Sequence, residues 1–279
     1  MANRKDALGE RKDDEKPDFQ FERMVHKGVA MLKCEIDDIE RMETMDDDIW
    51  VCSFPRSGTT MTQEMTYLVQ TLDFKTASTV YLDDRFPLLE LKDDRFPFYR
   101  GVKYIDQMKS PRMIKSHLHH FMLPDQLQKG KGARTTQAFE KVVEDFVNGT
   151  GHNCPWPRHV LEFWERRNDK NVLFLKYEEV VRDKARAVKQ IADFLGRNLT
   201  DEDVTNILDY CSVENMKNNA MCNMSYWRDY KKVYDNPDGG FINQGQAGAW
   251  KHLLTPDIAN KIDKLLDEIE GSGLTFSDN

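Results

Sequence analysis

The segment at residues 54–60, Phe-Pro-Arg-Ser-Gly-Thr-Thr, has the residue types and spacing of an anion-binding loop. A short apolar run of strand type ends at Phe54, and apolar residues at helical spacing begin at Met61. The segment is therefore predicted to join a strand to the N-terminus of a helix. At that position, unpaired backbone N–H groups and the positive end of the helix dipole favour an anion such as phosphate.

Individual side chains of this loop strengthen the prediction. Arg56 adds a positive charge, and Gly58 lets the backbone come close to the anion. Thr59 and Thr60 add hydroxyl donors. The segment is not a G-x-x-x-x-G-K-[ST] nucleoside-triphosphatase loop, so an ordinary helix cap and turn stays open as the alternative.

A second reactive group is the imidazole of His117. It follows a short strand candidate, Met113 to Lys115, which would place it at the sheet edge where ligands bind. Because an imidazole titrates near neutral pH, His117 is a candidate general base. His119 and His120 come soon after, so a polar surface turn is the alternative. Lys115 could add charge beside the same site, or could be a solvated lysine at the strand end.

The elements that must position these groups alternate along the chain. Strands are predicted at Ile49 to Phe54, Met113 to Lys115 and Asn171 to Lys176. Helices are predicted at Thr59 to Val69, Ala138 to Val147, Arg158 to Arg167, Lys184 to Leu195, Asp201 to Tyr210 and Pro256 to Glu268. This alternation predicts an α/β fold, in which helices flank a parallel β-sheet and ligand binds at the C-terminal strand ends.

Composition limits the class of protein. The 279 residues, 39% hydrophobic and 32% charged, can bury a large core but are too polar for a membrane protein. A net charge of −8 argues against broad nucleic-acid binding. Residues 1–18 are predicted to be a disordered charged tail rather than a targeting signal, and residues 19–279 a single domain. The five cysteines lack C-x-x-C spacing, which indicates reduced thiols in a cytoplasmic protein and no metal framework.

Four segments, taken together, resemble the cytosolic sulfotransferases, the sulfotransferase 1 domain family. Residues 54–61 resemble the family's 5′-phosphosulfate loop, whose usual form is Tyr-Pro-Lys-Ser-Gly-Thr-Thr-Trp. Residues 113–118 resemble the strand and turn that carry the catalytic histidine, and residues 171–179 resemble a strand ending in Tyr-Glu. Residues 245–251 resemble the Gly-x-x-Gly-x-Trp-Lys segment near the C-terminus. A colinear set of matches is more specific than any one motif.

The resemblance implies a P-loop nucleotide-kinase-like fold that transfers a sulfuryl group from 3′-phosphoadenosine 5′-phosphosulfate (PAPS) to a hydroxyl or amine of a small, largely apolar acceptor, without a metal. It makes His117 the catalytic base, with Arg56 and Lys115 supplying positive charge. The positions that it implies as donor contacts are Arg56, Ser57, Gly58, Thr59, Thr60, Met61, Tyr177, Asn243, Gln244 and Gly245. Lys251 to Thr255 is a loose version of the family's dimer segment, so a homodimer is an open alternative.

One departure from the family lies after the histidine segment. There the family has an apolar strand whose arginine holds the 3′-phosphate of the donor. Residues 124–137 contain no apolar run, so that strand and most of a helix are expected to be missing here, and Ala133-Arg134 is interpreted as loop. The alternative hypothesis follows from this departure: a catalytically impaired or inactive sulfotransferase-like binding protein, from a truncated isoform or gene model.

Other departures weaken the expected donor contacts. Asn243 and Gln244 replace the family's arginine and lysine, and neutral donors bind phosphate less strongly than charged ones. Met61 replaces a tryptophan that packs on adenine, and Arg56 replaces a lysine, which keeps the charge but makes proton delivery doubtful. Aromatic residues that could line the acceptor pocket, or equally the core, are Phe86, Phe96, Phe98 and Tyr104. Residues interpreted as core on a helix are Trp156, His159, Phe163 and Trp164.

Overall fold

The structure is a computed structural model of the chain, and it describes residues 22–128, 133–137, 146–226, 240–242, 244–248 and 256–276. The charged tail at residues 1–18, the donor contact at Asn243 and the dimer segment Lys251 to Thr255 lie outside these ranges. So does most of the helix predicted at Ala138 to Val147. These four predictions stay untested.

The helices and strands are numbered in chain order. The strands are β1 Arg23–His26, β2 Val29–Leu32, β3 Ile49–Cys52, β4 Met113–Ser116, β5 Ala133–Gln137 and β6 Val172–Lys176. The helices are α1 Ile36–Arg41, α2 Thr59–Thr71, α3 Phe74–Ala77, α4 Leu82–Arg85, α5 Val102–Ile105, α6 Asp125–Gln128, α7 Trp156–Trp164, α8 Tyr177–Arg182, α9 Lys184–Leu195, α10 Asp201–Tyr210, α11 Val213–Asn218 and α12 Pro256–Asp267, with a 3₁₀ turn at His120–Met122.

A parallel sheet carries the predicted chemistry at one edge. Within the described ranges, β3 to β6 form one parallel sheet in the order β4-β3-β5-β6, while β1 and β2 form a separate antiparallel hairpin. The register of β3 on β4 ends at Cys52↔Ser116, so both strands stop at the same edge. The loop before α2 and His117 therefore leave the sheet side by side. The α/β fold with a parallel sheet is confirmed.

The prediction that a strand is missing after the histidine segment is wrong. Ala133–Gln137 forms β5, which pairs along its whole length with β6 and meets β3 at Cys52↔Thr135. The interpretation of Ala133-Arg134 as loop was therefore also wrong. The strand has no apolar run because four of its five residues are polar, whereas strand pairing uses backbone donors and acceptors whatever the side chains are.

Alternate residues of β3 face two different cores. Val51 packs with Met65 and Leu68 of α2 in the larger core, which also includes buried residues of α9 and α10. Trp50 packs with Ile114 of β4 in a second core on the other side of the sheet. Because successive side chains of a strand point to opposite faces, a strand buried on both faces must be apolar throughout. The apolar run that ends at the loop is thus explained.

The long helices match their predicted bounds closely. α9 and α10 begin and end at the predicted residues, and α10 starts with a capping box in which Thr200 and Asp203 bond each other's backbone N–H groups. α7 begins two residues before the predicted Arg158 and ends three residues before the predicted Arg167. Across the ranges that the structure describes, no helix combines the length and apolar character needed to cross a bilayer.

Candidate active site

The loop between β3 and α2 has the backbone geometry of an anion site. Gly58 is the N-cap of α2 and adopts φ +76°, ψ +13°. Arg56 adopts φ +67°, which is uncommon for a residue other than glycine. Two left-handed residues so close together curl the backbone into a concave turn, and such turns gather N–H groups that bind anions. Because Gly58 has no side chain to cap the helix, the first N–H groups of α2 can donate to a ligand.

The hydroxyl groups of the loop are held in different ways. The Ser57 hydroxyl is buried and has no hydrogen-bond partner in the described part of the chain. A buried polar atom normally has a partner, so this hydroxyl is available to a water or a ligand. Thr59 Oγ1 lies 2.7 Å from Ser53 Oγ, which ties the start of the helix to the end of the strand. Thr60 is buried, and Met61 is half-buried against the larger core.

The Arg56 side chain connects the loop to a segment far along the chain. Its Nη1 donates to the Phe241 carbonyl oxygen over 3.1 Å. The guanidinium also lies over the Phe241 ring, 4.7 Å from the centroid, in a cation–π contact. The segment at residues 240–242 is thereby held against the phosphate loop. This segment comes immediately before the positions expected to contact the donor's 3′-phosphate.

The His117 ring is oriented by the loop itself. Its Nδ1 lies 2.8 Å from the Ser53 carbonyl oxygen. A carbonyl oxygen can only accept a hydrogen bond, so Nδ1 carries the proton and Nε2 keeps its lone pair. Burial lowers the pKa of His117 well below 6.5, and the positive charge of Lys115 lowers it further, while the bond to Ser53 opposes both. At neutral pH the imidazole is uncharged, as a general base must be.

Lys115 lies beside this imidazole. It is a buried residue of β4 and is paired in register with Val51 of β3. Its positive charge is close enough to act on the imidazole, whose pKa it lowers. Of the three residues predicted to be catalytic, His117 and Lys115 are neighbours at one edge of the sheet, and Arg56 lies in the loop that leaves the same edge, with its guanidinium on Phe241. The open alternative of a solvated strand-end lysine does not fit the burial of Lys115.

Two further histidines surround His117, and sequence reasoning gave neither of them a role. His159 Nε2 lies 3.2 Å from the His117 carbonyl oxygen, and the Phe54 ring packs edge-on against the His159 ring. Burial lowers the pKa of His159 well below 6.5 and that of His152 to about 4, so both rings are neutral. His159 was interpreted as core, and it is fully buried. No sequence spacing links residues 117 and 159, because only the packing of α7 brings them together.

The carboxyl group of Glu90 was also missed. Glu90 Oε1 accepts the His117 backbone N–H over 2.8 Å, and Oε2 accepts the Ser116 hydroxyl over 3.0 Å. Burial raises the pKa of Glu90 to about 7, although these hydrogen bonds and Lys115 act in the opposite direction. Glu90 lies in an irregular segment whose sequence gives no sign of a buried carboxylate.

The residues predicted to hold the nucleoside lie on two sides of the loop. A methyl group built on Gly58 would be 2.6 Å from Cδ2 of Tyr177, so this ring packs directly on the loop. A methyl group built on Gly245 would clash with Cγ2 of Val213, so Gly245 packs on the start of α11. Gln244 is exposed. The structure thus brings Tyr177 to the loop, and it connects the segment of Gln244 and Gly245 to the loop through Phe241 and Arg56.

The aromatic residues suggested for an acceptor pocket mostly belong to the core. Phe86, Phe96 and Phe98 are buried in the larger hydrophobic cluster. Tyr104 is half-buried and stacks with the Arg100 guanidinium, 4.3 Å from the ring centroid. Of the two open alternatives, core packing is the one that these contacts support. In the ranges given above, no group of three His, Cys, Asp or Glu side chains converges in a way that could hold a metal ion.

Comparison with known sequences gives one family. The profile of the sulfotransferase domain family matches residues 46–132 and 128–271. Sulfotransferase 4A1 from Mus musculus is 29% identical over 269 residues, which cover 87% of this chain and 87% of that protein. Sulfotransferase 1E1 from Homo sapiens is 28% identical over 266 residues, which cover 85% of this chain and 89% of that protein. The two matched segments of the family profile meet at residues 128–132, close to the departure noted in the sequence.

Comparison with solved structures gives the same fold. Retinol dehydratase in complex with androsterone and the inactive cofactor PAP superposes with a TM-score of 0.81, at 23% identity, over 93% of both chains. Mouse sulfotransferase SULT7A1 complexed with PAP superposes with a TM-score of 0.67, at 21% identity, over 90% of this chain and 96% of that chain. The family profile spans most of the chain, and the fold agrees with it. This chain therefore belongs to the sulfotransferase domain family.

Proposed function

We propose that the protein transfers a sulfuryl group from PAPS to a hydroxyl or amine of a small, largely apolar acceptor. The observation that carries this proposal is the contact between the phosphate loop and the imidazole, Ser53 carbonyl oxygen to His117 Nδ1 at 2.8 Å. It leaves a neutral base beside a turn suited to an anion. Membership of the sulfotransferase domain family supports the reaction class, and the solved structures with PAP support the donor.

The loop fits the 5′ end of this donor. A phosphosulfate carries anionic oxygens, which need several donors and at least one positive charge close by. The unpartnered hydroxyl of Ser57, the free amide groups at the start of α2 and the guanidinium of Arg56 would supply them. An ordinary helix cap would leave the buried Ser57 hydroxyl unexplained. The residues present therefore fit the group that the family implies.

The reaction requires proton transfer and charge stabilisation. Nε2 of His117 takes the proton of the acceptor hydroxyl, whose oxygen forms a bond to sulfur. The bond between sulfur and the bridging oxygen breaks, and the 5′-phosphate of the nucleotide leaves with the electron pair. Arg56 and the loop amides stabilise the charge that grows on this leaving group, and pre-positioned donors of this kind are a large part of enzymatic rate enhancement.

The nucleoside end of the donor would have weaker contacts. Tyr177, Met61 and Val213 supply apolar surface for the adenine, and Gln244 and Gly245 supply neutral donors for the 3′-phosphate. Hydrogen bonds from charged groups are about twice as strong as neutral ones. We therefore expect modest selectivity for the 3′-phosphate. The acceptor would approach His117 beside Phe54, His152 and His159. The homodimer and the cytoplasmic location remain predictions.

The alternative, a binding protein that has lost catalysis, is less well supported. It rested mainly on a missing strand, and β5 occupies that place in the sheet. What still favours it is the neutral pair Asn243 and Gln244. The two functions differ in what they require, since catalysis needs a base and a bound donor, whereas anion binding needs only the loop.

The test combines binding with turnover. Calorimetric titrations with 3′,5′-adenosine bisphosphate and with 5′-adenosine monophosphate would measure how much the 3′-phosphate contributes to binding affinity. Transfer from radiolabelled PAPS would be assayed against a panel of phenols, alcohols and amines, with His117→Ala as the control that keeps the loop. We expect tighter binding of the bisphosphate and transfer to at least one acceptor. Equal binding of both nucleotides, with no transfer, would support the binding protein.

A further inference from the structure

We infer that Glu90 is a positioning residue for catalysis: its carboxylate fixes the turn that presents His117, and through that turn it sets the rate of proton removal from the acceptor. The inference rests on the proposed function, because it concerns the base of that reaction. Glu90 is outside the motifs that resemble the family. Among the described residues its carboxylate bonds Ser116 and His117, so its effect on the reaction is expected to pass through His117.

The geometry is that of a two-point clamp on the end of β4. Glu90 Oε1 accepts the His117 backbone N–H over 2.8 Å, and Oε2 accepts the Ser116 hydroxyl over 3.0 Å. Ser116 Oγ in turn accepts the Leu118 N–H over 3.1 Å. The carboxylate therefore organises three successive residues around the base. On the other side, the ring of His117 is held by the Ser53 carbonyl oxygen, so this ring bond is kept only while the turn holds the backbone of His117 in place.

Glu90 is itself fixed by backbone hydrogen bonds to the same strand. Leu88 forms a parallel bridge with Lys115. The Leu89 N–H donates to the Lys115 carbonyl oxygen over 2.9 Å, and the Lys115 N–H donates to the Pro87 carbonyl oxygen over 3.0 Å. The segment 87–90 thus continues the sheet beyond β4 for a short distance. A side chain on so rigid a support can hold the turn without adjusting its own position.

The environment of Glu90 is a poor one for stability alone. The residue is 3% exposed, and no cation of the described residues lies within salt-bridge distance of its carboxylate. Glu64, also fully buried, instead forms a bidentate pair with Arg85 at 2.6 and 2.8 Å. An ionised carboxylate buried without a paired cation lowers stability, and an apolar residue of similar size avoids that cost. A carboxylate at this position is better explained by its hydrogen bonds to Ser116 and His117.

The groups facing Glu90 make its ionisation sensitive to pH near neutrality. Lys115 favours the ionised form, whereas burial raises the pKa of Glu90 to about 7. Cys34 faces it from the segment before α1, and burial with the charges of Glu90 and Glu35 raises the pKa of that thiol to about 12, so it stays neutral. His117 is also neutral, because its pKa is well below 6.5. Glu90 is therefore the group in this cluster that changes charge around pH 7.

The first test uses two variants of Glu90. Glu90→Gln keeps one acceptor oxygen without charge, and Glu90→Leu removes both acceptors. We expect kcat to fall by about 10-fold in the glutamine variant and by about 100-fold in the leucine variant, since hydrogen bonds to charged groups contribute more than neutral ones. Affinity for 3′,5′-adenosine bisphosphate should not change in either variant. A fall in affinity equal to the fall in kcat would show a general structural effect and overturn the inference.

The pH dependence of kcat separates a positioning role of the Glu90 carboxylate from a role in packing alone. In the wild-type protein, kcat should begin to fall as pH drops through about 7, where Glu90 takes up a proton and its hydrogen bonds weaken. In Glu90→Gln this step should be absent, leaving a profile that is flat down to the pKa of His117. Leu91→Val is the matched control, because Leu91 is a buried core residue of the same segment and should leave the profile unchanged. A step near pH 7 that persists in Glu90→Gln would contradict the inference.

Nitrogen-15 NMR of the histidine rings separates this inference from the proposed function. The His117 signals, assigned with His117→Gln, should show a proton on Nδ1 in the wild type and a mixture of tautomers in Glu90→Leu. Absence of transfer to every acceptor, together with this NMR change, would reject the proposed reaction but support positioning. Unchanged signals in Glu90→Leu would reject positioning. If neither Glu90 variant folds, Ser116→Ala is the substitute, because it removes one of the two hydrogen bonds to the carboxylate. It should change the same NMR signals and lower kcat about threefold. Unchanged signals and kcat in Ser116→Ala would also reject the positioning role.

Discussion

The two ends of the proposed donor site are built in different ways. At the 5′ end, β3, the loop and α2 are continuous in sequence, and the loop donors are backbone amides and the side chains of Arg56 and Ser57. At the 3′ end, Gln244 is exposed and Gly245 packs on Val213 from a distant segment. The 5′ end is fixed by the sheet, whereas the 3′ end depends on a segment held by side-chain contacts. We therefore expect mutations to separate the chemistry of the proposed reaction from nucleotide selectivity.

The largest expected effect is the loss of turnover on mutation of His117, beside the 5′ end of the proposed site. His117→Ala should reduce turnover by about 10²- to 10⁴-fold, the usual contribution of a general base. Affinity for 3′,5′-adenosine bisphosphate should be nearly unchanged, because the loop does not need the imidazole. Single-turnover transfer and calorimetry measure the two quantities. His120→Ala is the control, since that ring packs on Phe163 away from the loop. A turnover defect of equal size in both variants would break the comparison.

Arg56 tests the charge at the 5′ end. Arg56→Ala should weaken binding of both the bisphosphate and the monophosphate by about 10- to 100-fold, since a charge-assisted hydrogen bond contributes roughly 1.5 to 3 kcal/mol. Arg56→Lys restores the charge and should recover most of the loss. An equal loss of affinity for the two nucleotides would support a contact between Arg56 and the 5′ end of the donor. A loss confined to the bisphosphate would place Arg56 at the 3′ end instead.

Gly58 tests the shape of the turn. Alanine at this position must adopt φ +76° and would meet Tyr177 at 2.6 Å, so we expect binding of either nucleotide to weaken by about 10-fold. Gly196→Ala is a close control, because Gly196 has φ +65° and nothing lies within 4 Å of the added methyl group. That variant shares the backbone strain but should bind nucleotides normally. Equal binding by the wild type and Gly58→Ala would show that the turn does not touch the donor.

A substitution of Gln244 tests the 3′ end of the proposed site by adding a positive charge there. Gln244→Lys should improve binding of 3′,5′-adenosine bisphosphate by about 3- to 10-fold and leave 5′-adenosine monophosphate unchanged, because only the former has a phosphate there. Gln246→Lys, in the same segment and also exposed, controls for general attraction by positive charge. Calorimetry with both nucleotides measures the difference. An equal gain from both lysines would mean that residue 244 has no special place near the 3′-phosphate.

The smallest expected effect concerns the pH at which the base is lost. His117 acts when unprotonated, so kcat/KM falls as pH drops through its pKa, which lies below 6.5. Lys115→Met removes a positive charge that lowers this pKa, so the acid limb should move to higher pH by less than about one unit. The profile is best measured in the Glu90→Gln background, where that carboxyl cannot titrate. A limb that stays in place, or moves down, would remove Lys115 from the environment of the base.

Much of the fold could be predicted because its signals are local. Helices α9 and α10 show their apolar period and caps within one stretch of sequence, and their predicted bounds are those observed. β3 and the loop that follows it could be predicted for the same reason. β5 could not, since Ala133–Gln137 is mostly polar and only pairing between neighbouring strands makes it a strand. The acceptor-pocket candidates were ambiguous in sequence, because Phe86 has the same residue type whether it faces a ligand or a core.

The sequence by itself indicated which groups could bind an anion and act as a base, and it determined that the strands that carry them form a parallel sheet. Arg56, Gly58 and His117 could be identified because each follows a short apolar strand at a recognisable position. Only the tertiary structure decided how His117 is held, with Ser53 on its ring, His159 on its carbonyl oxygen and Glu90 on its N–H. These partners come from separate segments of the chain. Hydrogen bonds between distant residues depend on packing in three dimensions, so no local pattern of residues can specify them.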